Sequence, residues 1–347
     1  MRGRFAFGGL GAAAARGVDL SSVSGSGIGG KITKADVLSA GATAGARDSR
    51  EETGDATVLR GPAAMLAKAM DESLAIPTAT SFRTVPVDVL DAKRKGLNVV
   101  LSERGTKVSF THLIAWAIVL AARDWPVMAR SYEERGGRPH AVQAEEVNLG
   151  IAVDLERKDG SRGLMVPAIK GTNDLDFAAF HSYYENLIAK TRDGSLTADD
   201  FVGTNVTLTN PGGLGTIASV PRLVSGGTII ATGSISYPVE WAHASAERIK
   251  AMGISKVMTM TSTYDHRVIQ GAESGSFLAR IDELLQGADD FYEAVAESLG
   301  VPVGVDASGL CKHVATDDGR IAGNFLAAES FDQSGERGQP GFCHGGP

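Results

Sequence analysis

The sequence predicts an α+β fold, on three observations. Apolar residues switch repeatedly between helical and alternating spacing, and the resulting strands and helices lack the regular βαβ order of a doubly wound sheet. The 347 residues include 43 Gly, too many for a helical bundle. The length suggests two compact units rather than one.

From Val58 onward the pattern is globular. Met65, Leu66, Met70 and Leu74 share a helix face, Ile76-Pro77 ends that helix, and Thr78 to Val89 alternates as a strand. Phe110 to Ala122 is helical in length and apolar nearly all round, which predicts a central buried helix with Trp116 in the core. Val147–Val153 and Gly163–Ile169 read as two strands joined by the charged loop Glu156-Arg157-Lys158-Asp159-Gly160. Phe177 to Arg192 is an amphipathic helix, and Leu196 to Asp200 starts another turn. Val206–Thr209 and Gly227–Ser234 are strands bracketing a glycine loop, and Val257–Thr261 is a further strand. Phe277, Leu278, Ile281, Leu284 and Leu285 recur at helical spacing.

Before Val58 the chain reads differently. Residues 1–16 are mostly Gly, Ala and Arg and predict no fold, and residues 41–57 have the composition of a linker. Between them, Gly25, Gly27 and Gly30 satisfy G-x-G-x-x-G. A dinucleotide loop must leave a buried strand and open a long helix. Here only Val18, Leu20 and Val23 precede it, and Thr33 to Asp36 reads as the cap of one short helix, so a dinucleotide site is rejected. The tail, 304–347, is Gly-rich and polar and is expected to be poorly ordered.

Composition excludes several functions. The net charge is -7 with no large basic block, which argues against nucleic acid as a partner. The longest apolar run, Leu113 to Ala122, is far short of the roughly 20 residues of a membrane helix. Met1-Arg2-Gly3-Arg4 and the Gly/Ala stretch after it do not read as a signal peptide. Cys311 and Cys343 both fall in the tail, so a Cys nucleophile, a Cys-bound metal and a disulfide-stapled core are not expected. A cytoplasmic enzyme is the expectation.

Two stretches carry chemistry. In Ser262-Thr263-Tyr264-Asp265-His266-Arg267-Val268-Ile269-Gln270-Gly271-Ala272 a His lies between two charged residues where a strand hands over to a helix. An imidazole there suits general base work, although most Asp-His-Arg tripeptides are structural. In Thr207-Leu208-Thr209-Asn210-Pro211-Gly212-Gly213-Leu214-Gly215-Thr216 a strand runs into glycines that allow close backbone approach to a bound group. No Gly-Lys-Ser/Thr follows, so it is not a phosphate loop. Gly clusters more often mark tight turns than sites. His112, His181 and His243 are rival bases without a matched partner, better read as helix or surface histidines.

Asp-His-Arg-x-x-Gln-Gly-Ala resembles the signature of the dihydrolipoamide acyltransferases, the second component of the 2-oxoacid dehydrogenase complexes. It is most similar to the acyltransferase segment fused into actinobacterial 2-oxoglutarate dehydrogenases, which shares Gln270-Gly271-Ala272-Glu273-Ser274-Gly275. Ile76–Ser81, Ser109–Leu113, Asn148–Asp154 and Ser219–Arg222 are further family-like stretches, and the resemblance spans about 58–303. Residues 17–40 resemble the family's peripheral subunit-binding segment, two short helices joined by a Gly-rich loop.

The resemblance implies a chloramphenicol-acetyltransferase-like catalytic domain over 58–303, trimeric, with its site in a channel between subunits. It implies His266 as general base, Thr209 as hydroxyl donor to the oxyanion and Gln270, where relatives carry Asp or Asn, as an orienting residue. Asn210, Gly212, Asp265 and Arg267 are implied at the substrate and Lys31 at a partner protein. Thr209-Asn210 is of the succinyl-transferring kind. CoA and a dihydrolipoyl group on another chain are the implied substrates, with no metal. Implied partners are a thiamine-dependent 2-oxoglutarate decarboxylase, lipoamide dehydrogenase, a lipoyl-bearing protein and two further copies of the chain. Family members often join trimers into cages through their C-terminus, and the Gly-rich tail here leads to the expectation of a free trimer instead. Two other readings stay open: an assembly core with little or no activity, and a soluble acetyltransferase of the chloramphenicol type.

Overall fold

The computed structural model describes residues 23–28, 30–38, 57–156 and 162–302. The expectations for 1–16, for nearly all of the linker and for 304–347 fall outside these residues. The chain divides into two compact units, 1–59 and 60–347.

In the smaller unit residues 34–38 are helical. Asp36 accepts from the Ser26 hydroxyl at 2.6 Å, the Ser26 N–H at 3.0 Å and the Thr33 N–H at 2.8 Å, which closes the glycine loop onto the helix start. These bonds, those from Ser26 foremost, hold its carboxyl well below the usual carboxylate range. A Cβ on Gly25 would stand 2.5 Å from the Gly30 carbonyl oxygen, so this glycine serves the loop's own closure. Lys31 is exposed on that loop.

The larger unit opens with helix α1 (Pro62–Ser73) and strand β1 (Thr78–Pro86). The expected strand to Val89 stops at Pro86, since proline has no N–H to extend the ladder. Helix α2 (Asp88–Glu103) begins at once, with Asp88 and Asp91 in its first turn where the helix dipole favours negative charge. Helix α3 (Phe110–Asp124) is buried over most of its surface, with Trp116 in the core between Phe177 and Phe180. Strands β2 (Ser131–Arg135) and β3 (Arg138–Val142) form a hairpin through Gly136 and Gly137, at φ 60 and 71, the left-handed geometry of a two-residue turn.

Each of the next two expected strands is split. Strand β4 (Leu149–Ile151) enters the main sheet, while β5 (Val153–Glu156) pairs with β6 (Arg162–Met165) in a separate ribbon. Pro167 separates β6 from β7 (Ala168–Ile169), which returns to pair with β4. Most of the expected charged loop falls outside the described residues. Helix α4 (Phe177–Asp193) starts at Asp176, whose carboxylate accepts from the Ala179 N–H at 2.8 Å, and ends at left-handed Gly194. Then come β8 (Val206–Thr209), β9 (Thr228–Thr232), the short helix α5 (Ala246–Ala251), β10 (Val257–Asp265), α6 (Gly271–Leu285) and α7 (Phe291–Ser298).

The main sheet has the order β1-β10-β9-β8-β4-β7. β8 runs parallel to both neighbours and the other pairs are antiparallel, so the sheet is mixed. Met258, Met260, Ile230, Leu208 and Leu149 from the sheet join Leu113, Ile114, Ile118, Phe277 and Ile281 from α3 and α6 in one core. β10 runs four residues beyond the expected Thr261 and so carries the chain through Asp265 to the foot of α6. No helix among the described residues is long and apolar enough to cross a membrane.

Candidate active site

His266 leaves the end of β10 in a tightly fixed turn. Its N–H donates to the Pro77 carbonyl at 2.9 Å, and the Val268 and Ile269 N–H groups return to the Asp265 carbonyl at 3.2 and 3.0 Å. The His266 Nδ1 lies 3.1 Å from the Ile269 carbonyl oxygen. A carbonyl only accepts, so Nδ1 holds the proton and Nε2 keeps the lone pair a base needs. Tyr264 meets the imidazole edge-on, with ring centroids 5.6 Å apart.

Asp265 is buried, and its carboxylate accepts from the Arg267 backbone N–H at 3.0 Å, Nε at 2.9 Å and a terminal guanidinium nitrogen at 2.6 Å. The hydrogen bond to Asp265 raises the Arg267 pKa further above its ordinary value. The guanidinium carbon sits 3.9 Å from the centre of the Tyr132 ring, so hairpin β2–β3 clasps this turn. Gln270 is the exposed N-cap of α6, where Glu273 accepts its N–H at 2.7 Å.

Thr209 ends β8, half-buried, and among the described residues its hydroxyl has no hydrogen-bond partner. Next to it, Asn210 donates through Nδ2 to the Thr111 hydroxyl at 3.1 Å. A Cβ on Gly212 would lie 2.3 Å from the Gly233 carbonyl oxygen, so this glycine admits the chain's own backbone. Gly213 faces open space, and Gly215 has φ 84, the left-handed conformation glycine tolerates.

One chain does not bring the two halves together. Thr209 pairs with Ala231, and Ala231 with Thr261, while His266 lies beyond Asp265 at the far end of β10. Five residues of strand rise and two strand spacings put Thr209 and His266 about 20 Å apart.

The rival histidines separate clearly. His243 is exposed. His112 lies on helix α3, buried, with both ring nitrogens partnered: Nδ1 accepts the Ser109 N–H at 3.3 Å and Nε2 stands 3.0 Å from Glu185. The Ser109-x-x-His112 spacing is that of a capping box, a signal the sequence reading passed over. Burial, reinforced by positive charge at His181 and Lys107, pushes His112 down to about 3. His112, His181 and Glu185 are the one group among the described residues arranged as metal ligands could be. With Nδ1 facing a backbone donor, the His112 proton sits on Nε2 and points at Glu185, which disfavours a metal there. A cleft of about 540 Å³ lined by Ser131, Glu146, Asn148, Thr204 and Gly226 opens near the Asp265 end of the sheet. Its Asn148 and Asn205 are engaged with each other's strands.

The sequence model of the 2-oxoacid dehydrogenases acyltransferase catalytic domain matches residues 51–292, and that of the e3 binding domain matches 12–38. The chain is 48% identical over 264 residues to a multifunctional 2-oxoglutarate metabolism enzyme of Mycobacterium sp. (strain JLS), covering 76% of this chain and 21% of that protein. Its counterpart in Mycolicibacterium vanbaalenii is 49% identical over 247 residues, covering 71% and 20%. The chain thus spans about a fifth of the length of these relatives. Among solved structures, the dihydrolipoamide acetyltransferase of Azotobacter vinelandii superposes with a TM-score of 0.59 at 22% identity, covering 71% of this chain and 97% of that one. There a serine, a histidine and an asparagine were investigated for their roles in the catalytic mechanism. The cubic core of a pyruvate dehydrogenase complex gives 0.58 at 23% identity, covering 73% and 98%. The α+β fold is that of these catalytic cores, and the chain belongs to the 2-oxoacid dehydrogenase acyltransferase family.

Proposed function

We propose that this chain is the succinyl-transferring component of a 2-oxoglutarate dehydrogenase complex, moving the acyl group between dihydrolipoyl and CoA thiols. The observation that carries the reading is the His266 Nδ1 contact with Ile269, which leaves Nε2 free to act as a base. His266 Nε2 takes the proton of the attacking thiol, and the thiolate adds to the thioester carbonyl. Thr209 donates its hydroxyl hydrogen to the oxygen that becomes negative. The tetrahedral species collapses, the original C–S bond breaks, and His266 returns the proton to the departing thiolate. Gln270 acts through orientation, at the head of the helix that follows the turn. The Azotobacter enzyme's hydroxyl, imidazole and amide are matched in kind by Thr209, His266 and Gln270.

Asp265 and Arg267 fit a positioning role better than substrate contact, because they bind each other. Asn210 and Gly212 follow Thr209 in the loop and are likewise held by the protein, Asn210 by Thr111 and Gly212 against Gly233. The separation of Thr209 from His266 supports a site built from two copies of the chain, in a trimer. Leu214, Ile217 and Val220 on the Thr209 loop are exposed apolar residues suited to such an interface. Residues 17–40, with Lys31 exposed, are proposed to dock lipoamide dehydrogenase, in keeping with the e3 binding match. The 2-oxoglutarate link rests on the names of the mycobacterial relatives and the dihydrolipoyl group on that of the Azotobacter enzyme, while the decarboxylase partner follows from the proposed complex.

The experiment is acyl transfer from succinyl-CoA to dihydrolipoamide, with acetyl-CoA in parallel. Faster succinyl transfer that is lost in His266→Ala supports the reading. Full activity in that variant removes His266 from the chemistry. An oligomer that forms but transfers neither group makes the chain an assembly core.

A further inference from the structure

We infer that Thr111 is the positioning residue that sets the oxyanion loop, an inference that rests on the transferase reading above. Thr111 lies in the first turn of α3, ninety-nine residues before Asn210, and its hydroxyl receives Asn210 Nδ2 at 3.1 Å. Asn210 directly follows Thr209, so this bond fixes the residue next to the oxyanion donor. Asn210 does not cap the turn it begins, and its carboxamide is turned to α3 instead.

The first turn of α3 is a rigid place to hang a loop. Ser109 Oγ accepts the His112 N–H at 3.2 Å, and His112 returns an acceptor to the Ser109 N–H at 3.3 Å. His112 reaches across to Glu185 on α4 at 3.0 Å and meets Tyr184 edge-on at 4.5 Å between centroids. Thr111 therefore stands beside a residue locked to a second helix. On its other side the loop is seated by Gly212 against the Gly233 backbone. Thr209 lies between the sheet and these two anchors. Loss of the Thr111 anchor lets the Thr209 hydroxyl drift from the developing oxyanion, where a displacement of about 1 Å costs on the order of 10²-fold in rate.

The test uses the full chain, with succinyl-CoA and dihydrolipoamide as substrates. Thr111→Val keeps the side-chain volume and removes the acceptor. The expected result is a fall in kcat of about 10- to 100-fold, with the KM for succinyl-CoA and the oligomer mass unchanged. Thr111→Ser restores most of kcat. Asn210→Ala gives a similar loss, and Thr111→Val with Asn210→Ala together lose no more than either alone, because both remove one interaction. Unchanged kcat in Thr111→Val, equal damage in Thr111→Ser, or losses that multiply in the double variant overturns the inference. Absence of transfer by the parent chain defeats the transferase reading itself, and the inference with it.

Discussion

Thr209 and His266 stand at opposite ends of one chain's sheet, about 20 Å apart by strand rise and spacing. No rotamer closes that distance, since a histidine and a threonine reach only a few ångströms from their backbones. Under the proposed mechanism both groups act at one carbonyl, which requires them to come from different protomers.

The charge pair behind His266 holds the turn. Asp265→Asn removes the buried negative charge and one of the two oxygens that accept from Arg267. The Arg267 guanidinium is part exposed and takes water in place of the lost carboxylate, so we expect a destabilisation of about 1 kcal/mol, read from the denaturant midpoint, and a fall in kcat from a loosened His266. Arg267→Lys loses the forked geometry and the stacking, and falls between Asp265→Asn and the parent chain.

The glycines of the Thr209 loop are not equivalent. Gly212→Ala puts a Cβ 2.3 Å from the Gly233 carbonyl oxygen and is expected to cost about 1–3 kcal/mol and most of the activity. Gly213→Ala, with open space around it, is expected to leave thermal stability unchanged. Melting temperatures of the two variants, measured side by side, check the distinction.

His112 makes stability depend on acid. Its folded-state pKa is depressed to about 3, while an unfolded histidine titrates near 6.5. The unfolded chain therefore takes up a proton that the folded chain refuses. This contribution is fully present above pH 6.5 and is lost as the pH falls toward 3, at up to about 1.4 kcal/mol per pH unit. His112→Gln keeps an acceptor for the Ser109 N–H and is expected to flatten this dependence in urea titrations between pH 7 and 4.

Much of the fold was legible where one segment decides its own structure. The apolar helix around Trp116, the strand leading into Asp265 and the helix after Gln270 all carry their pattern locally. Helix α2 was hidden because its polar face and Gly96 weaken the periodicity, and the preceding strand pattern ran on into Val89. Hairpin β2–β3 was missed because its residues are mostly exposed and carry little apolar alternation. The candidate groups were named from residue types and the family resemblance, but the distance between them could not be read. The Thr209–His266 separation depends on the order and register of β8, β9 and β10. The Thr111–Asn210 contact likewise joins residues that no local pattern links.

Subunit complementation tests the shared site most directly. His266→Ala and Thr209→Val chains, each inactive alone, are co-expressed in equal amounts so that they assemble together. In a closed ring, random mixing gives about a quarter of the sites an intact His266 from one chain and an intact Thr209 from its neighbour. The predicted result is recovery of about a quarter of the parental transfer activity; activity no higher than that of either variant alone, in mixed assemblies verified by mass, would contradict it.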